Sequence, residues 1–272
     1  MTQGPIALDP VRLHELMAGD SLWRQVEVVG ETGSTNADLA AAARTGRATD
    51  GSVLMTGYQS SGRGRMDRVW TAPPESGLAL SMLVVPPPGL SAARWTWLPL
   101  LCGMAAAEAI RRAAELPAML KWPNDVMIGD RKLCGILAER VQTPTGPGCV
   151  IGIGTNTDLT EEQLPVPWAT SLLLAGARTR DKTVIAVTLL RAFGLLYTNW
   201  RDDFDASALA RSYVARCATI GRQVRVVLSA PGTTGEGDVE GSAEAIDEHG
   251  RLVVRTRDGV QTFGAGDIVH LR

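Results

Sequence analysis

Histidine and cysteine are scarce in this sequence, and neither is arranged for metal binding. The 272 residues include three histidines and four cysteines, with no C-x-x-C pair. The histidines, His14, His249 and His270, lie near the two ends and apart from every motif described below. A zinc site, a disulfide framework and a histidine base are therefore disfavoured. We expect the substrates themselves to supply the nucleophile.

Charge and hydropathy exclude further classes of protein. The net charge of −2 gives no general attraction to nucleic acid or to an anionic membrane. The chain does not open with a basic-then-apolar leader, and we find no apolar run of the roughly 18 residues that span a bilayer. The sequence thus predicts a cytoplasmic protein with no nucleic-acid or membrane partner.

The order of apolar patterns predicts an α/β domain followed by a small β unit. A preface of residues 1–25 precedes alternating strands and helices over residues 26–216. Helices are expected at 9–18, 37–44, 97–115, 181–201 and 206–215. Residues 217–272 contain only short strands and turns, with a Gly/Thr-rich loop at 231–237, which predicts a small β-barrel.

The segment of residues 62–70, called the arginine loop below, is the densest motif. It reads GRGRMDRVW and follows Gln59 at the end of a predicted strand. Glycine permits close backbone approach, arginine offers a planar fork of donors to phosphate or carboxylate, and Trp70 offers an aromatic face. The loop therefore favours a polyanionic, aromatic ligand such as ATP. A solvated basic loop remains the alternative.

Polar residues at the start of a predicted helix form the second motif. Ser34, Thr35 and Asn36 stand in a row before an alanine-rich stretch. Such residues cap helices, and capping alone is a sufficient explanation for them. A helix N-terminus with free N–H groups and hydroxyls also binds polar or anionic ligands.

Two later segments add charged and amide side chains. Residues 121–125 read KWPND, and Lys132 opens an apolar strand just past a predicted turn. Strand alternation directs the Lys132 ammonium toward whatever the sheet binds. An ordinary turn at Asn124–Asp125 and an edge-strand role for the lysine are the alternatives. Residues 150–156 form a strand whose glycines permit close approach, without the third glycine of a dinucleotide fingerprint.

Taken together and in their order along the chain, these five motifs resemble the biotin protein ligase family over residues 26–272. The resemblance implies a mixed-sheet catalytic domain related to class II aminoacyl-tRNA synthetases and a C-terminal SH3-like β-barrel. It also implies a monofunctional ligase without a DNA-binding domain, acting as a monomer or homodimer. Such an enzyme uses ATP and Mg²⁺ to convert biotin to biotinyl-5′-AMP. It then biotinylates a lysine in the carrier domain of a carboxylase such as acetyl-CoA carboxylase.

The same resemblance implies roles for individual residues. Lys132, Arg65 and Arg63 are the implied catalytic residues. The implied biotin site comprises Ser34, Thr35, Asn36, Gln59, Arg63, Gly64, Arg65 and Lys132. The implied ATP and adenylate site comprises Arg65, Arg68, Trp70, Lys121, Asn124, Asp125 and Asn156. Trp70 is expected to stack on adenine, and Arg68 and Lys121 to face the triphosphate. The metal ligands are unknown, with Asp125 as a candidate toward Mg²⁺.

Two rival functions remain open at the level of sequence. A lipoate–protein ligase would share the fold and the adenylation step, but the arginine loop and the KWPND segment disfavour it. A non-catalytic regulatory module that uses the basic loop on DNA is disfavoured by the net charge of −2. Neither rival accounts for all five motifs.

Asp67 stands where the family usually has glycine in the arginine loop. Because a carboxylate facing the phosphates would repel them, we expect Asp67 to be turned away from the ligand. Asp67→Gly should then change the KM for ATP by less than about tenfold, equivalent to about 1.4 kcal/mol. Steady-state kinetics of the two proteins test this, and a larger fall in KM would contradict it.

Overall fold

The computed structural model describes residues 4–66, 68–228 and 237–271. Asp67 and most of the loop predicted at 231–237 lie outside these ranges. Within them, the first sheet has seven strands: β1 (Gln25–Val28), β2 (Ser52–Thr56), β3 (Gly77–Val84), β4 (Ala118–Lys121), β5 (Asp125–Ile128), β6 (Arg131–Thr143) and β7 (Gly146–Asn156). The helices are α1 (Pro10–Met17), α2 (Thr35–Arg44), α3 (Trp97–Ala113), α4 (Lys182–Asp202) and α5 (Ala206–Val214). These bounds agree with the predicted helices to within two residues at every end.

The first sheet is mixed, in the order β1-β2-β3-β7-β6-β5-β4. β1 and β2 are parallel because α2 crosses over between them, and the other neighbouring pairs are antiparallel. β6 extends to Thr143, four residues beyond its predicted end. Buried Val141 and Thr143 alternate there with exposed Arg140 and Gln142. The sequence-based boundary missed this because the stretch is polar overall.

The two faces of this sheet have different coverings. Ile151 belongs to the core beneath α3 and α4, whereas Val150 packs with α2 on the opposite face. On β6, a Cβ at Gly135 would contact Trp70, while the side chain of Ile136 approaches Gly103 of α3. The α2 face therefore carries the arginine loop, and the other face carries the main core.

Helix α4 is the one described segment with the length and hydropathy of a membrane span. It is 21 residues long, which qualifies the expectation from sequence that nothing reaches that length. Half of its most apolar window is buried inside the protein, including Phe193 and Trp200. The helix packs against α3 as part of the main core, which explains its apolar composition.

The second sheet is antiparallel and lies after the first in sequence. Its strands are β8 (Gln223–Val227), β9 (Val239–Ile246), β10 (Leu252–Thr256), β11 (Gly259–Phe263) and β12 (Asp267–His270). Their order is β11-β10-β9-β8-β12. The predicted fold class, a mixed α/β domain with a small C-terminal β unit, is confirmed. The domain boundaries at 25/26 and 216/217 stay predictions.

Two tryptophans of the first domain hold the second sheet in place by hydrogen bonds to its backbone. Trp97 Nε1 donates to Glu248 O at 2.9 Å, and Trp122 Nε1 donates to Gly250 O at 3.0 Å. Both indoles are buried. The turn before β10 is thus held by two directional bonds in an apolar setting, where an unpaired carbonyl is costly.

We expect Trp122→Phe to lower the free energy of unfolding by about 1–3 kcal/mol, because the Gly250 carbonyl loses its buried donor. Trp168, which is 62% exposed, provides the matched control. Trp168→Phe should change stability by less than about 0.5 kcal/mol. Urea denaturation of the three proteins measures both effects, and equal stabilities would contradict the fastening role.

Candidate functional site

A cavity of about 450 Å³ lies on the α2 face of the first sheet. Its lining brings together the predicted site residues Ser34, Thr35, Asn36, Gln59, Arg63, Gly64, Arg65, Arg68, Trp70, Asn124, Asp125, Lys132 and Asn156. Lys121 is the one predicted site residue outside that lining. The motifs, which are spread over more than 120 residues, therefore meet at one place.

One end of the cavity is a network of uncharged polar groups at the start of α2. The Thr35 backbone N–H and hydroxyl both donate to Gln59 Oε1, at 2.8 and 3.0 Å. Ser81 Oγ lies 2.7 Å from both Thr35 Oγ1 and Asn36 Oδ1. Ser34 caps the helix, as its sequence position predicts. The network fixes amide and hydroxyl orientations before any ligand arrives.

Glycine at position 152 makes room for this network. A Cβ there would lie 2.1 Å from Asn36 Oδ1. Asn36 Nδ2 donates to Leu137 O at 3.1 Å and to Glu139 Oε2 at 2.9 Å, so the amide is anchored to β6 by two bonds. A side chain at Gly152 would force the amide out of position.

The arginine loop forms a short hairpin over the cavity. Gly64 N–H donates to Arg68 O at 2.7 Å, and Trp70 N–H donates to Gly62 O at 2.9 Å. Arg63 and Val69 pair as an isolated bridge between these bonds. The loop thus presents its arginines from a hydrogen-bonded frame.

The three arginines of the loop contact acceptors from other parts of the chain, and two of the arginines share one carboxylate. Arg63 pairs with Glu139 at 3.1 Å, and Arg65 donates to Asn124 Oδ1 at 3.0 Å. Arg68 forms an ion pair with Asp267 on β12, and Arg65 NH1 lies 3.9 Å from the same carboxylate. Burial lowers the pKa of the Arg65 guanidinium, while Asp267 and then Asp125 oppose that shift. Carboxylates from both sheets therefore compensate the positive charge of the loop.

The Trp70 indole lies directly against two glycines of the sheet, Gly135 and Gly154, called the glycine bed below. Gly135 and Gly154 are register partners on β6 and β7. A Cβ at Gly135 would lie 2.9 Å from the indole, and one at Gly154 would lie 2.4 Å from it. Lys132 Nζ lies 5.7 Å from the ring centroid, within range of a cation–π attraction. The two glycines permit an aromatic ring to lie directly on the sheet.

Lys132 and Asp125 form an ion pair in the lining of the cavity. Lys132 Nζ lies 2.6 Å from Asp125 Oδ1. That oxygen is buried and, within the described part of the chain, has no hydrogen bond of good geometry beyond this ion pair. Lys121 on β4 lies directly opposite Asp125 on β5 in the strand register. Burial lowers the pKa of Lys121, and Asp125 opposes that shift, so Lys121 acts on the site through charge without lining it.

The two asparagines are fixed by backbone bonds. Asn124 Nδ2 donates to Ile136 O at 3.0 Å, which leaves its Oδ1 facing Arg65. Asn156 is buried and donates to Thr170 O at 2.9 Å. Asn124 thus positions an arginine, and Asn156 holds the segment that follows β7.

Several lining residues were not among the predicted site residues, and Asp267, Val69 and Trp168 are three of them. Asp267 comes from β12, and Val69 and Trp168 are 71% and 62% exposed. The Trp168 carbonyl accepts from Lys132 N–H at 2.7 Å, which holds its segment beside the cavity. No local pattern marks these positions, since an acidic residue opening a strand and an exposed tryptophan are both ordinary features.

The chain is similar to known proteins along most of its length. A model described as the Biotin/lipoate A/B protein ligase family matches residues 31–156, and one described as the Biotin protein ligase C terminal domain matches 219–271. The sequence is 41% identical to the biotin–[acetyl-CoA-carboxylase] ligase of Mycobacterium tuberculosis, over 95% of this chain and 93% of that protein. It is 30% identical to the bifunctional ligase/repressor BirA of Escherichia coli, over 84% and 69% respectively.

A solved structure shows the same fold. The biotin protein ligase from Aquifex aeolicus in complex with biotin and ATP superposes with a TM-score of 0.73. The match covers 92% of this chain and 99% of that chain, at 24% sequence identity. At that identity the likeness supports the architecture, including the C-terminal unit, and no individual residue role.

Gly154→Ala should loosen the arginine loop, because the new Cβ would overlap the Trp70 indole. We expect the protection of the Gly64 and Trp70 amides from hydrogen exchange to fall about tenfold, or about 1.4 kcal/mol. Gly30→Ala is the matched control, since a Cβ at Gly30 meets nothing within 4 Å. Unchanged protection in Gly154→Ala would show that the glycine bed does not hold the loop.

Proposed function

The chain belongs to the biotin protein ligase family, and we propose that the cavity residues described above carry out its reaction. The protein is an ATP-dependent ligase that activates biotin as biotinyl-5′-adenylate and joins it to a lysine of an acceptor protein. The observation that supports the residue roles is the convergence of Lys132, Arg65 and Arg63 on one cavity beside a network of uncharged polar groups.

The polar network at the start of α2 suits the ureido ring of biotin. A ureido group presents one carbonyl acceptor and two N–H donors in a plane. We assign its recognition to Ser34, Thr35, Asn36 and Gln59, whose groups are preset by mutual bonds. Buried hydrogen-bonding groups reject acids that leave them unpaired, which gives selectivity over simple fatty acids.

The charged centre suits the first half-reaction. Biotin's carboxylate oxygen attacks the α-phosphorus of ATP, and diphosphate leaves with the electron pair of the broken P–O bond. This step needs alignment and charge neutralisation rather than a base. We assign these tasks to Lys132, Arg63 and Arg65, with Gly64 allowing the loop backbone to approach the ligand.

The remaining lining residues suit the nucleotide. We assign Trp70 to stacking with adenine, Arg68 to the triphosphate and Lys121 to its longer-range neutralisation. Asn124 and Asn156 complete this side of the site by holding Arg65 and the segment after β7. Together they bind ATP beside biotin.

The reaction uses Mg-ATP, and the residues present suit a metal held mainly by phosphate oxygens. No group of three or more His, Cys, Asp or Glu side chains is placed for metal binding among the described residues. Mg²⁺ typically binds through one or two carboxylates together with substrate phosphates. Asp125 Oδ1 is buried and, among the described residues, has only the Lys132 ammonium at 2.6 Å as a partner, so it fits such a single carboxylate. Bound Mg²⁺ would neutralise phosphate charge.

For the second half-reaction we propose the lysine of a biotin carrier domain of an acyl-CoA carboxylase as acceptor. The name of the Mycobacterium tuberculosis relative specifies acetyl-CoA carboxylase. The lysine amine attacks the acyl carbon of the adenylate, and AMP departs with the electron pair. We further propose a cytoplasmic monomer or homodimer that binds no nucleic acid, and a catalytic domain spanning residues 26–216 with a C-terminal unit from 217.

Biotin-dependent exchange of labelled pyrophosphate into ATP tests the first half-reaction without any carrier. We expect exchange with biotin and none with lipoate, the acid that the broader family description also allows. Lys132→Ala and Arg65→Ala should lower the exchange rate by about 10²–10³-fold, since each removes a preorganised donor to developing charge.

Arg112→Ala is the matched control for this experiment. Arg112 is exposed and pairs with Glu108 one helical turn away, outside the cavity. Its exchange rate should equal that of the unaltered protein. Exchange with lipoate would assign the site to the rival activity, and undiminished exchange in Lys132→Ala would remove the lysine from the chemistry.

A further inference from the structure

A buried ion cluster lies outside the cavity, where β7 ends and α4 begins. Lys182 is fully buried, and its Nζ donates to Ile6 O at 2.7 Å. Asp158 Oδ2 lies 3.5 Å and Glu75 Oε2 lies 3.7 Å from the same Nζ. Both oxygens are buried without a hydrogen bond in the described ranges. The ammonium therefore compensates two carboxylates at once.

Asp158 connects this cluster to the end of β7. It lies two residues beyond Asn156, which lines the cavity. The backbone N–H groups of Thr157 and Asp158 donate to Ser76 O at 3.0 and 2.8 Å. Asp158 also pairs with Arg180 and is 5% exposed. This side of the cluster is thus fixed to the sheet.

Glu75 connects the cluster to the arginine loop. It belongs to the segment of residues 71–76, called the exit segment here, that leads from Trp70 into β3. Glu75 has a φ of +59°, which non-glycine residues rarely adopt. Its carboxylate packs closely against Gly57: a Cβ at that position would lie 2.6 Å from both carboxylate oxygens. An unfavourable backbone conformation persists only when surrounding contacts hold it.

The charges explain what holds Glu75 in this conformation. Its side chain is 44% exposed, whereas that of Asp158 is 1% exposed. Without the Lys182 ammonium, the two carboxylates would repel each other. Removing one partner of a buried ion group leaves uncompensated charge. Glu75 has access to water and would swing outward, while Asp158 would stay with Arg180.

We propose that Lys182 is a positioning residue for the ligase reaction. By compensating Glu75 and Asp158, it fixes the exit segment and so holds Trp70 over the Gly135–Gly154 bed. Among the described residues, the Lys182 ammonium contacts Ile6, Glu75 and Asp158, none of which lines the cavity, so its action passes through Glu75. The kinetic part of this inference rests on the proposed function, whereas its structural part does not.

The test compares Lys182→Met, Glu75→Gln and the double variant. Lys182→Met should speed hydrogen exchange in residues 71–76 and lower kcat/KM for biotin in pyrophosphate exchange about ten- to a hundredfold, as misplacement of a binding group does. Glu75→Gln removes the repulsion, so the double variant should recover most of that loss. Arg178→Ala, which breaks an exposed ion pair with Glu115, should match the unaltered protein in both measurements.

Equal impairment of Lys182→Met and the double variant would assign Lys182 to packing alone and overturn the inference. Should Lys182→Met fail to fold, Glu75→Ala decides. It leaves Lys182 paired with Asp158, so it should loosen residues 71–76 and lower kcat/KM with the melting temperature kept. Unchanged exchange and kinetics in Glu75→Ala would overturn the inference. Absence of biotin-dependent activity in the unaltered protein would refute the proposed function, and hydrogen exchange in residues 71–76 would still decide the role of Lys182.

Discussion

Every arginine and lysine identified in the lining of this cavity already has a carboxylate partner from another part of the fold. Lys132 has Asp125, Arg63 has Glu139, and Arg65 and Arg68 share Asp267. A carboxylate or phosphate ligand must therefore share or replace an existing partner. The exchange of one anion for another gains little net Coulomb energy, so selectivity must come from geometry. The closely spaced donors provide that geometry, because they are in place before the ligand arrives.

Glycine determines how near these groups come to the sheet. Asn36 approaches Gly152, and Trp70 approaches Gly135 and Gly154, at distances that exclude a Cβ. Since these glycines face α2, the opposite face of the same strands remains free to build the main core with α3 and α4. The β6–β7 hairpin thus contributes one of its faces to the main core and the other to the cavity.

Local sequence patterns predicted those cavity residues whose signal lies in a few adjacent positions. Ser34 reads as a helix cap, Lys132 as the start of a strand and residues 62–70 as a loop, and each reading depends on a few adjacent positions. The contacts of Asp267 and Lys182 depend on residues far away in sequence: Arg68 is 199 positions from Asp267, and Ile6 is 176 from Lys182. Their local surroundings carry no motif, so only the folded chain reveals them. The polar end of β6 was missed for a related reason, since its burial comes from tertiary packing.

The arginine loop and the exit segment that follows it are held by ion pairs of different character. Within the loop, Arg63, Arg65 and Arg68 make partly exposed ion pairs that solvent and ligand can reach. In the exit segment, the charge of Glu75 is compensated by the buried ammonium of Lys182. Exposed pairs exchange partners at small cost, whereas a buried charge cannot lose its partner without a large penalty. Ligand binding can therefore rearrange the arginines while Trp70 keeps its place, so that the loop adapts at its tip and stays fixed at its exit.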